Sequence, residues 1–372
     1  FLMKFSTSKK QLQSSLLKLS KVIPSRSTLP ILSNVLLRVE ENKTILRATD
    51  LEVSLKVKLP ASVERIGEIT IPVHSVLGVI NEYNEETRLT FEVLENKIII
   101  SSDKGSFEIM GRPAVEFPNE PEKPKNNPIN IDSSIFIDII NKTIFAVSKD
   151  ELKPALSGVL FQIKNNSILS VSTDGHRLVK YIRSGLDIDI NKDVIIPKKF
   201  LSLISSNLSQ TEKVNLFINE NQIMVEVGDD IFYSRIIDER FPDFESVIPK
   251  DNNKELIINR LEFLSTVKRV SVLSNKTTKQ ISLNLSKDSV KITTEDAEKS
   301  SKGFENIYGS FIGEDLIIGY NAAYLKDILS HLITDEIIVK LNSPISAGLF
   351  YPKEQPKDSD LTMLLMPIRL NN

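Results

Sequence analysis

Apolar and polar residues alternate along many short stretches of the chain, and polar turns separate these stretches. KIIISS at residues 97–102 and QIMVEVG at residues 222–228 are examples. Such alternation predicts β-strands that bury one face. Longer amphipathic patterns recur twice in each third of the chain and predict six helices, at residues 6–21, 73–83, 133–148, 198–208, 259–274 and 321–333. The pattern therefore predicts an α+β protein built from antiparallel sheets and helices.

A repeat of about 124 residues organises these elements. Residues 29–50 align without a gap with residues 153–174. Eight aligned pairs are identical, namely Pro30/Pro154, Leu32/Leu156, Ser33/Ser157, Val35/Val159, Leu36/Leu160, Asn42/Asn166, Thr49/Thr173 and Asp50/Asp174. A weaker third copy covers the paired strands at 279–296 and the strand-to-helix step at 314–333. The repeat predicts three like domains, and it favours a helix for the Ile-rich segment 134–148, whose composition alone favours a strand.

Two segments rich in Pro, Asn and charged residues divide the three repeats. They are PNEPEKPKNNP at 118–128 and IPKDNNKE at 248–255. Such composition is typical of linkers. We therefore expect domains at residues 3–122, 129–249 and 250–372. Phe1 and Leu2 precede Met3, and we expect both to be an extension outside the fold.

Composition narrows the cellular setting of the protein. The chain of 372 residues contains no cysteine, so a disulfide scaffold is excluded and a reducing compartment is favoured. No apolar run is long enough to span a membrane, and the N-terminus lacks the pattern of a signal peptide. We expect a cytoplasmic protein with no membrane partner.

Charge is distributed unevenly although the whole chain carries only −2. The six predicted helices contain eleven basic and four acidic residues, a net charge of +7, which leaves −9 for the rest of the chain. A basic helical layer on an acidic strand scaffold predicts that one face binds a polyanion, here the phosphates of duplex DNA, without reading its sequence. Our candidates for phosphate contact are Lys9, Lys10, Arg26, Lys198, Lys199 and Arg269.

The stretch STDGHRL at residues 172–178 has the residue types of a catalytic loop. Ser172, His176 and Asp174 could form a nucleophilic triad, but the sequence offers no GxSxG elbow to support one. The three histidines lie at 74, 176 and 331 without the spacing of a metal site, and no phosphate-binding glycine loop occurs. The first repeat has Thr49 and Asp50 at the same turn, so Thr and Asp are expected to serve the fold. We predict no catalytic residue, no metal and no cofactor.

Four stretches together resemble one family: LPILSNVLL, STDGHRL, RFPDFE and the terminal MPIRL. The chain resembles the bacterial sliding clamps, the beta subunits of the replicative DNA polymerase III, from Met3 to its end. The resemblance implies a head-to-tail homodimeric ring of six clamp domains, with antiparallel sheets outside and two helices per domain inside. Twelve helices about 8–10 Å apart close a ring wide enough for a duplex about 20 Å across, whereas six helices do not.

The resemblance also implies the sites. A processivity factor of this kind encircles DNA and holds the polymerase III catalytic subunit, the clamp loader, other polymerases and repair proteins, whose short linear peptides enter a pocket. The matching pocket positions are Leu156, Thr173, Gly175, His176, Arg177, Leu178, Pro242, Val247, Tyr324, Ile345, Ser346, Met366, Pro367, Ile368, Arg369 and Leu370. The ring is expected to close through Phe107 and Ile109 on an edge strand and through Val272 and Leu273 at a helix end of the other chain.

The sequence departs from the family pattern at a few of these positions. Ile368 stands where the motif has a second Met, Ser246 replaces a frequently basic residue, and Pro154-Ala155 stand where some relatives carry aromatic residues that help to touch DNA. We expect MLLMPIRL at 363–370 to be a terminal edge strand as well as a pocket wall. A monomeric nucleic-acid-binding repeat protein, and a hydrolase that uses the 172–178 loop, stay open as alternatives.

Overall fold

The computed structural model describes residues 2–370 of the chain. Phe1 of the predicted extension lies outside the described residues, but Leu2 begins a strand and pairs with Leu94. The expectation that Leu2 lies outside the fold is therefore wrong. The described residues form two compact units, the first within Phe1–Ile137 and Lys199–Ile236 and the second within Asp138–Lys198 and Ile237–Asn372.

The strands, in chain order, are β1 Leu2–Ser8, β2 Asn34–Glu40, β3 Lys43–Thr49, β4 Val53–Leu59, β5 Ser62–Arg65, β6 Gly67–Pro72, β7 Arg88–Leu94, β8 Lys97–Ser102, β9 Gly105–Met110, β10 Ile129–Asp132, β11 Gly158–Lys164, β12 Ser167–Thr173, β13 Arg177–Arg183, β14 Lys192–Pro197, β15 Lys213–Ile218, β16 Gln222–Val227, β17 Asp230–Arg235, β18 Lys254–Asn259, β19 Gln280–Ser286, β20 Ser289–Asp296, β21 Ser301–Ile307, β22 Ser310–Ile312, β23 Leu316–Asn321, β24 Glu336–Leu341, β25 Gly348–Pro352 and β26 Ser359–Leu365.

Six α-helices occur in residues 2–370, as predicted, but each is shorter than its apolar pattern. They are α1 Lys9–Ser20, α2 Val73–Ile80, α3 Ser133–Thr143, α4 Lys198–Ser205, α5 Arg260–Val270 and α6 Ala322–His331. Side-chain caps set several of the starts. Ser8 accepts a hydrogen bond from the backbone N–H of Gln11, so the predicted helical residues 6–8 belong to β1. Asn259 and Asn321 cap α5 and α6 in the same way.

Two antiparallel sheets build the first unit. One has five strands in the order β5-β1-β7-β8-β9, and the other has eight in the order β10-β15-β16-β17-β4-β3-β2-β6. Helix α1 packs on β4 with Leu12, Leu16 and Leu19, which follow helical spacing and are buried. Strand β17 of the second repeat pairs with β4 of the first repeat. The compact units therefore do not follow the repeat, and the three domain boundaries stay a prediction.

The second unit repeats this arrangement. Nine strands form one sheet in the order β14-β11-β12-β13-β26-β25-β24-β18-β22, and four form another in the order β21-β20-β19-β23. Helices α5 and α6 pack against each other. Strand β26 lies between β13 and β25, so the prediction of an edge strand at 363–370 is wrong. Because both sides of β26 are paired, only the residues after Leu365 are free to leave the sheet.

Candidate functional site

A cavity of about 470 Å³ opens in the second unit, beside the turn that joins β12 to β13. Five segments form it: the chain at Leu156, this turn, the connection from Phe241 to Pro249, the residues Ser346 and Ala347 directly before β25, and the end of β26. Its lining residues are Leu156, Thr173, Gly175, His176, Arg177, Leu178, Phe241, Pro242, Asp243, Phe244, Val247, Pro249, Ser346, Ala347, Leu364 and Met366. The stretch STDGHRL therefore lies at a cavity, as predicted.

Hydrogen bonds within the turn fix its shape. The Thr173 hydroxyl donates to the carbonyl of Arg177 at 2.7 Å and accepts the backbone N–H of Gly175 at 3.1 Å. The Asp174 carboxylate accepts the backbone N–H groups of His176 and Arg177, each at 3.0 Å. Gly175 has φ +90°, a conformation that favours glycine. Thr173 and Asp174 thus hold the backbone that presents the other side chains.

The first repeat makes the same bonds at its own turn. The Thr49 hydroxyl donates to the carbonyl of Val53 at 2.9 Å, and Asp50 accepts the backbone N–H groups of Glu52 and Val53 at 3.0 and 2.7 Å. The expectation that Thr and Asp serve the fold in both repeats is confirmed.

Apolar side chains form the walls of the cavity. Leu178, Ala347 and Leu364 belong to one buried cluster, on which Phe241 and Phe244 pack from outside. The two phenylalanine rings meet edge to face, with centroids 6.4 Å apart. Val247 and Met366 stay 52% and 42% exposed at the rim. A flexible methionine beside aromatic walls suits an apolar ligand whose shape varies.

Arg177 is buried, and contacts within the protein hold its side chain in place. Its guanidinium lies over the ring of Phe145 at 5.3 Å and over the ring of Tyr324 at 4.8 Å. It forms ion pairs with Asp174 at 3.1 Å and with Asp327 at 2.6 Å, and it donates to the carbonyl of Phe145 at 2.9 Å. Arg177 therefore ties the turn to α6, and its donors are largely used within the protein.

Each of the two rings that Arg177 contacts also stacks on a histidine. The exposed ring of His176 stacks on Tyr324 with centroids 5.6 Å apart, and His331 stacks on Phe145 at 3.7 Å. The backbone N–H of Met366 donates to the carbonyl of His176 at 2.9 Å, which joins the end of β26 to the turn. Burial raises the pKa of the Tyr324 hydroxyl, with a further contribution from Asp174, so Tyr324 stays neutral.

We expect the substitution Arg177→Ala to lower the free energy of unfolding by about 3 kcal/mol, because it removes the cationic partner of the mostly buried Asp174 carboxylate, the bond to the carbonyl of Phe145 and both cation–π contacts. Arg177→Lys should lose less, because the charge survives while the planar fork does not. Denaturant unfolding followed by circular dichroism measures both variants, with His176→Ala as the control for an exposed neighbour. An Arg177→Ala protein as stable as the wild type would contradict the structural role.

The structure brings together ten of the sixteen predicted pocket residues at the cavity. The other six do not line it: Tyr324, Ile345, Pro367, Ile368, Arg369 and Leu370. The ring of Tyr324 stacks on His176, which itself lines the cavity. Ile345 is exposed, and the backbone N–H of Ile368 donates to the carbonyl of Gly319. The prediction missed six lining residues: Phe241, Asp243, Phe244, Pro249, Ala347 and Leu364. Phe241, Asp243 and Phe244 lie within RFPDFE, a stretch already singled out that could have been included whole, and Pro249 follows its last residue by four positions.

The turn lacks the geometry of a nucleophilic triad. Ser172 is fully buried, and its hydroxyl donates to the carbonyl of Thr143 at 2.5 Å, so it faces away from His176. The Asp174 carboxylate is occupied by backbone N–H groups and Arg177. Residues 2–370 contain no cluster of three or more acidic, histidine or cysteine side chains that could hold a metal ion.

The candidate phosphate-contact residues differ widely in their surroundings. Lys9 keeps only 6% of its surface exposed, because it begins α1 and bonds Thr87 through its backbone, so proposing it for phosphate contact was wrong. Lys10 pairs with Glu85 at 3.2 Å, and Lys199 pairs with Asp50.

The remaining three candidates are Arg26, Lys198 and Arg269. Arg269 pairs with Glu305 at 2.5 Å, and Arg26 is exposed. Burial lowers the pKa of the Lys198 ammonium group, and the charges of Lys149 and Arg177 lower it further. Several helix cations are thus balanced by scaffold acids, which a count of charges along the sequence does not reveal.

Three of the four residues predicted to close a ring, Phe107, Val272 and Leu273, are exposed, and Ile109 is half-buried. In the first unit β9 is an edge strand, and Phe107 is 45% exposed with its ring edge to face with Tyr83. In the second unit Val272 and Leu273 lie in the turn Ser271–Leu273 after α5 and are 79% and 41% exposed. An unpaired strand edge beside exposed apolar residues is a surface that proteins normally cover.

The fold matches solved DNA polymerase sliding clamps over the whole chain. The clamp of Bacillus subtilis covers 100% of both chains at 27% identity with a TM-score of 0.94. The clamp of Pseudomonas aeruginosa bound to griselimycin covers 99% of this chain and 100% of its own at 29% identity, with a TM-score of 0.92. The architecture is therefore that of a three-domain DNA clamp, and the predicted fold class is confirmed.

Sequence comparisons identify the family. Models of the DNA polymerase III beta subunit match residues 3–121 as its N-terminal domain, 130–243 as its central domain and 245–369 as its C-terminal domain. The beta sliding clamps of Pseudomonas putida and Vibrio cholerae are 30% and 31% identical over 99% of this chain and 100% of theirs. The chain belongs to the DNA polymerase III beta subunit family, the beta sliding clamps, as its motifs predicted. This membership confirms a processivity subunit without catalytic activity and rules out the hydrolase alternative.

Within residues 2–370, no helix has both the length and the apolar character needed to cross a membrane.

Proposed function

We propose that the chain works in the cytoplasm as a homodimeric ring that encircles duplex DNA. The cavity beside the 172–178 turn then holds short linear peptides of the DNA polymerase III catalytic subunit, the clamp loader, other polymerases and repair proteins. The cavity itself is the observation that carries this proposal, because apolar walls and a few fixed polar groups meet there on a rigid turn.

Size and chemistry both favour a peptide of a few residues. A cavity of about 470 Å³ is in the range that accommodates a few side chains. Leu178, Leu364 and Met366 supply apolar contact, while Ser346 and the backbone of the turn supply polar partners. The relative from Pseudomonas aeruginosa has been solved with griselimycin bound, which supports the existence of a ligand site in this family.

The charge pattern supports weak, exchangeable contact with DNA. Lys18 pairs with Asp230 at 2.5 Å and Lys10 pairs with Glu85 at 3.2 Å, and both lysines are at least one-third exposed. Exposed ion pairs contribute at most about 1 kcal/mol, so DNA phosphates can replace the scaffold carboxylates at little cost. This arrangement favours a protein that slides along DNA over one that grips a single position.

We expect the native mass of the chain in solution to be twice that of one chain, and the double variant Phe107→Ala/Leu273→Ala to be a folded monomer. Exposed apolar residues at a strand edge and a helix end provide the contact that the variant removes. Native mass spectrometry at several concentrations measures the state, and circular dichroism checks the fold.

Ile66→Ala/Ile312→Ala is the matched control, since both isoleucines are exposed and lie outside the proposed interface. A wild type that stays monomeric would favour the alternative of a monomeric nucleic-acid-binding repeat protein. A double variant that stays dimeric would place the interface elsewhere.

A further inference from the structure

A second cavity, of about 400 Å³, lies in the first unit at the position that the repeat relates to the cavity described above. Its lining residues are Thr49, Leu51, Glu52, Val53, Ser54, Pro118, Asn119, Pro121, Gln222, Tyr233, Ser234 and Arg235. With the offset of 124 residues, eight of them correspond to residues that line the first cavity: Thr173, Gly175, His176, Arg177, Leu178, Pro242, Asp243 and Ser346.

Strand pairing shows that the two cavities share one backbone plan. Ser54 pairs with Tyr233 in the first unit as Leu178 pairs with Leu364 in the second. The backbone N–H of Arg235 donates to the carbonyl of Glu52 at 3.2 Å, and that of Met366 donates to His176 at 2.9 Å. Arg235 therefore stands at the position that Met366 has in the first cavity.

The side chains at these equivalent positions have changed from apolar to polar. Ser54 stands in place of Leu178, Tyr233 in place of Leu364, Arg235 in place of Met366, Glu120 in place of Phe244 and Lys123 in place of Val247. The Tyr233 hydroxyl donates to the Glu120 carboxylate at 3.3 Å. The second cavity therefore keeps the backbone plan of the first and adds polar and charged side chains to its lining.

A buried arginine lies behind this cavity. Arg47 stands where the second repeat has Val171, and it keeps only 5% of its surface exposed. Its guanidinium lies over the ring of Phe117 at 5.1 Å and donates to the carbonyl of Pro118, a lining residue. Its Nη1 has no hydrogen-bond partner among residues 2–370, and no described carboxylate forms an ion pair with it. The Glu120 carboxylate, which bonds Tyr233 and Lys56, attracts this guanidinium without forming an ion pair with it, so the buried cation still favours a further anionic group nearby.

The turn at the mouth of the cavity keeps a strained residue. Leu51 has φ +79°, whereas its equivalent Gly175 has φ +90°. A side chain in this region is strained, and here it is leucine, 48% exposed at the cavity. The bonds of Thr49 and Asp50 hold this conformation and present the Leu51 side chain to a ligand.

We propose that the second cavity binds a short extended peptide with one acidic side chain. Arg235 at the mouth holds the carboxylate, the charge of Arg47 behind Pro118 supports it, and Leu51 covers an apolar part of the peptide. Glu52 at the same mouth disfavours a second acidic residue. A peptide is the occupant because the cavity repeats the plan of the first, so the inference rests on the function proposed for that site.

The test is a methyl NMR titration of the full chain with labelled leucine and valine. The probe is the acetylated, amidated peptide Ser-Gly-Glu-Gly-Ser, and the matched control has Gln in place of Glu. We expect saturable shifts of the Leu51 and Val53 methyl groups, with binding at least about threefold weaker for the Gln peptide and for the exposed-site variant Arg235→Gln. Leu51→Gly should stay folded, because glycine suits this φ, and should weaken binding, reported by Val53.

Several results would overturn the proposal. They are a lack of saturable shifts at Leu51 and Val53, an equal response to the Glu and Gln peptides, and an equal response to succinate, which would mean that any carboxylate suffices. A short Gln–Leu–aromatic peptide, whose two apolar side chains suit the apolar walls of the first cavity, should shift the Leu178 and Leu364 methyl groups instead when it is added to the same sample. If these two methyl groups do not shift, the proposed function of the first cavity is contradicted. The proposal for the second cavity is then judged by the shifts of Leu51 and Val53 alone.

Discussion

The substitution Met366→Ala is expected to weaken the binding of a short Gln–Leu–aromatic peptide by about thirtyfold. Met366 lines the cavity beside the 172–178 turn, and its flexible side chain, 42% exposed at the rim, can close over an apolar side chain of the peptide. Once the bound peptide buries it, a contact of this kind is worth about 2 kcal/mol, which corresponds to that change in affinity. Fluorescence anisotropy of a labelled peptide, titrated against wild type and variant, measures it.

The structure also changes what deletion of the tail is expected to do. Deleting Met366–Leu370 removes one lining residue and four residues that pack elsewhere, since Ile368 pairs with Gly319 and Leu370 lies against the same glycine. Deletion should therefore weaken peptide binding further and also lower the free energy of unfolding, whereas Met366→Ala should weaken peptide binding alone. Ile312→Ala, an exposed residue of the same unit away from the cavity, is the matched control. Unchanged peptide binding in the tail deletion would mean that the peptide site lies elsewhere.

The variant His176→Ala tests whether the exposed and the buried side chains of the turn have different roles. Its ring is exposed at the cavity and stacks on Tyr324, whereas Arg177 is buried beneath it. Loss of the ring should therefore reduce peptide affinity while the fold persists, and loss of Arg177 should reduce both. From the sequence, both neighbours were predicted to be docking residues with the same role. The structure gives them different roles, because adjacent residues at the start of a strand point to opposite faces.

Local patterns predicted the elements of this fold well because each depends on a few neighbouring residues. Strand β8 has the bounds that its alternation predicted, and six helices occur where amphipathic patterns stood. The repeat added what propensity lacked, since α3 is helical although it is rich in isoleucine. The ends of the helices were harder to predict, because caps such as Ser8 and the strand β1 compete for the same residues.

Pairing between distant parts of the chain could not be predicted from the sequence. Strand β26 pairs with β13, from which it is separated by most of the third repeat, so nothing near residue 363 indicates an interior strand. The same limit applies to charge. Lys18 and Asp230 lie 212 positions apart and form an ion pair, so a count over the helices overstated the positive charge that is free to meet DNA.

The family resemblance supplied the candidate site residues, and it missed several that reach the cavity only through packing. Thr173 and Gly175 follow from the turn chemistry that both repeats share. Leu364 and Ala347 reach the cavity only because β26 and β25 join the same sheet as β13. Lys9 failed as a DNA contact for the converse reason: its position at the start of α1 buries a side chain that composition alone would place in solvent.

Retention on DNA is expected to depend on the topology of the DNA more than on its charge. If two chains form a closed ring, clamps loaded on closed circular DNA should stay bound through gel filtration at moderate salt. The same complexes should lose nearly all clamps once a single cut makes the DNA linear. Phosphate attraction cannot substitute for a closed ring. Lys10, Lys199 and Arg269 already pair with carboxylates of the protein. Exposed charges are in addition screened within about 10 Å at such salt.

Charge variants separate topology from adhesion in the same experiment. Lys10→Gln/Arg26→Gln should shorten retention on circular DNA only slightly, because each exposed phosphate contact contributes about 1 kcal/mol or less. It should reduce the efficiency of loading more, since phosphate attraction raises the rate of encounter. The monomeric variant Phe107→Ala/Leu273→Ala should show no retention on either DNA. Equal loss of the wild type from circular and linear DNA would contradict encirclement, and the helix cations would then have to account for all of the binding.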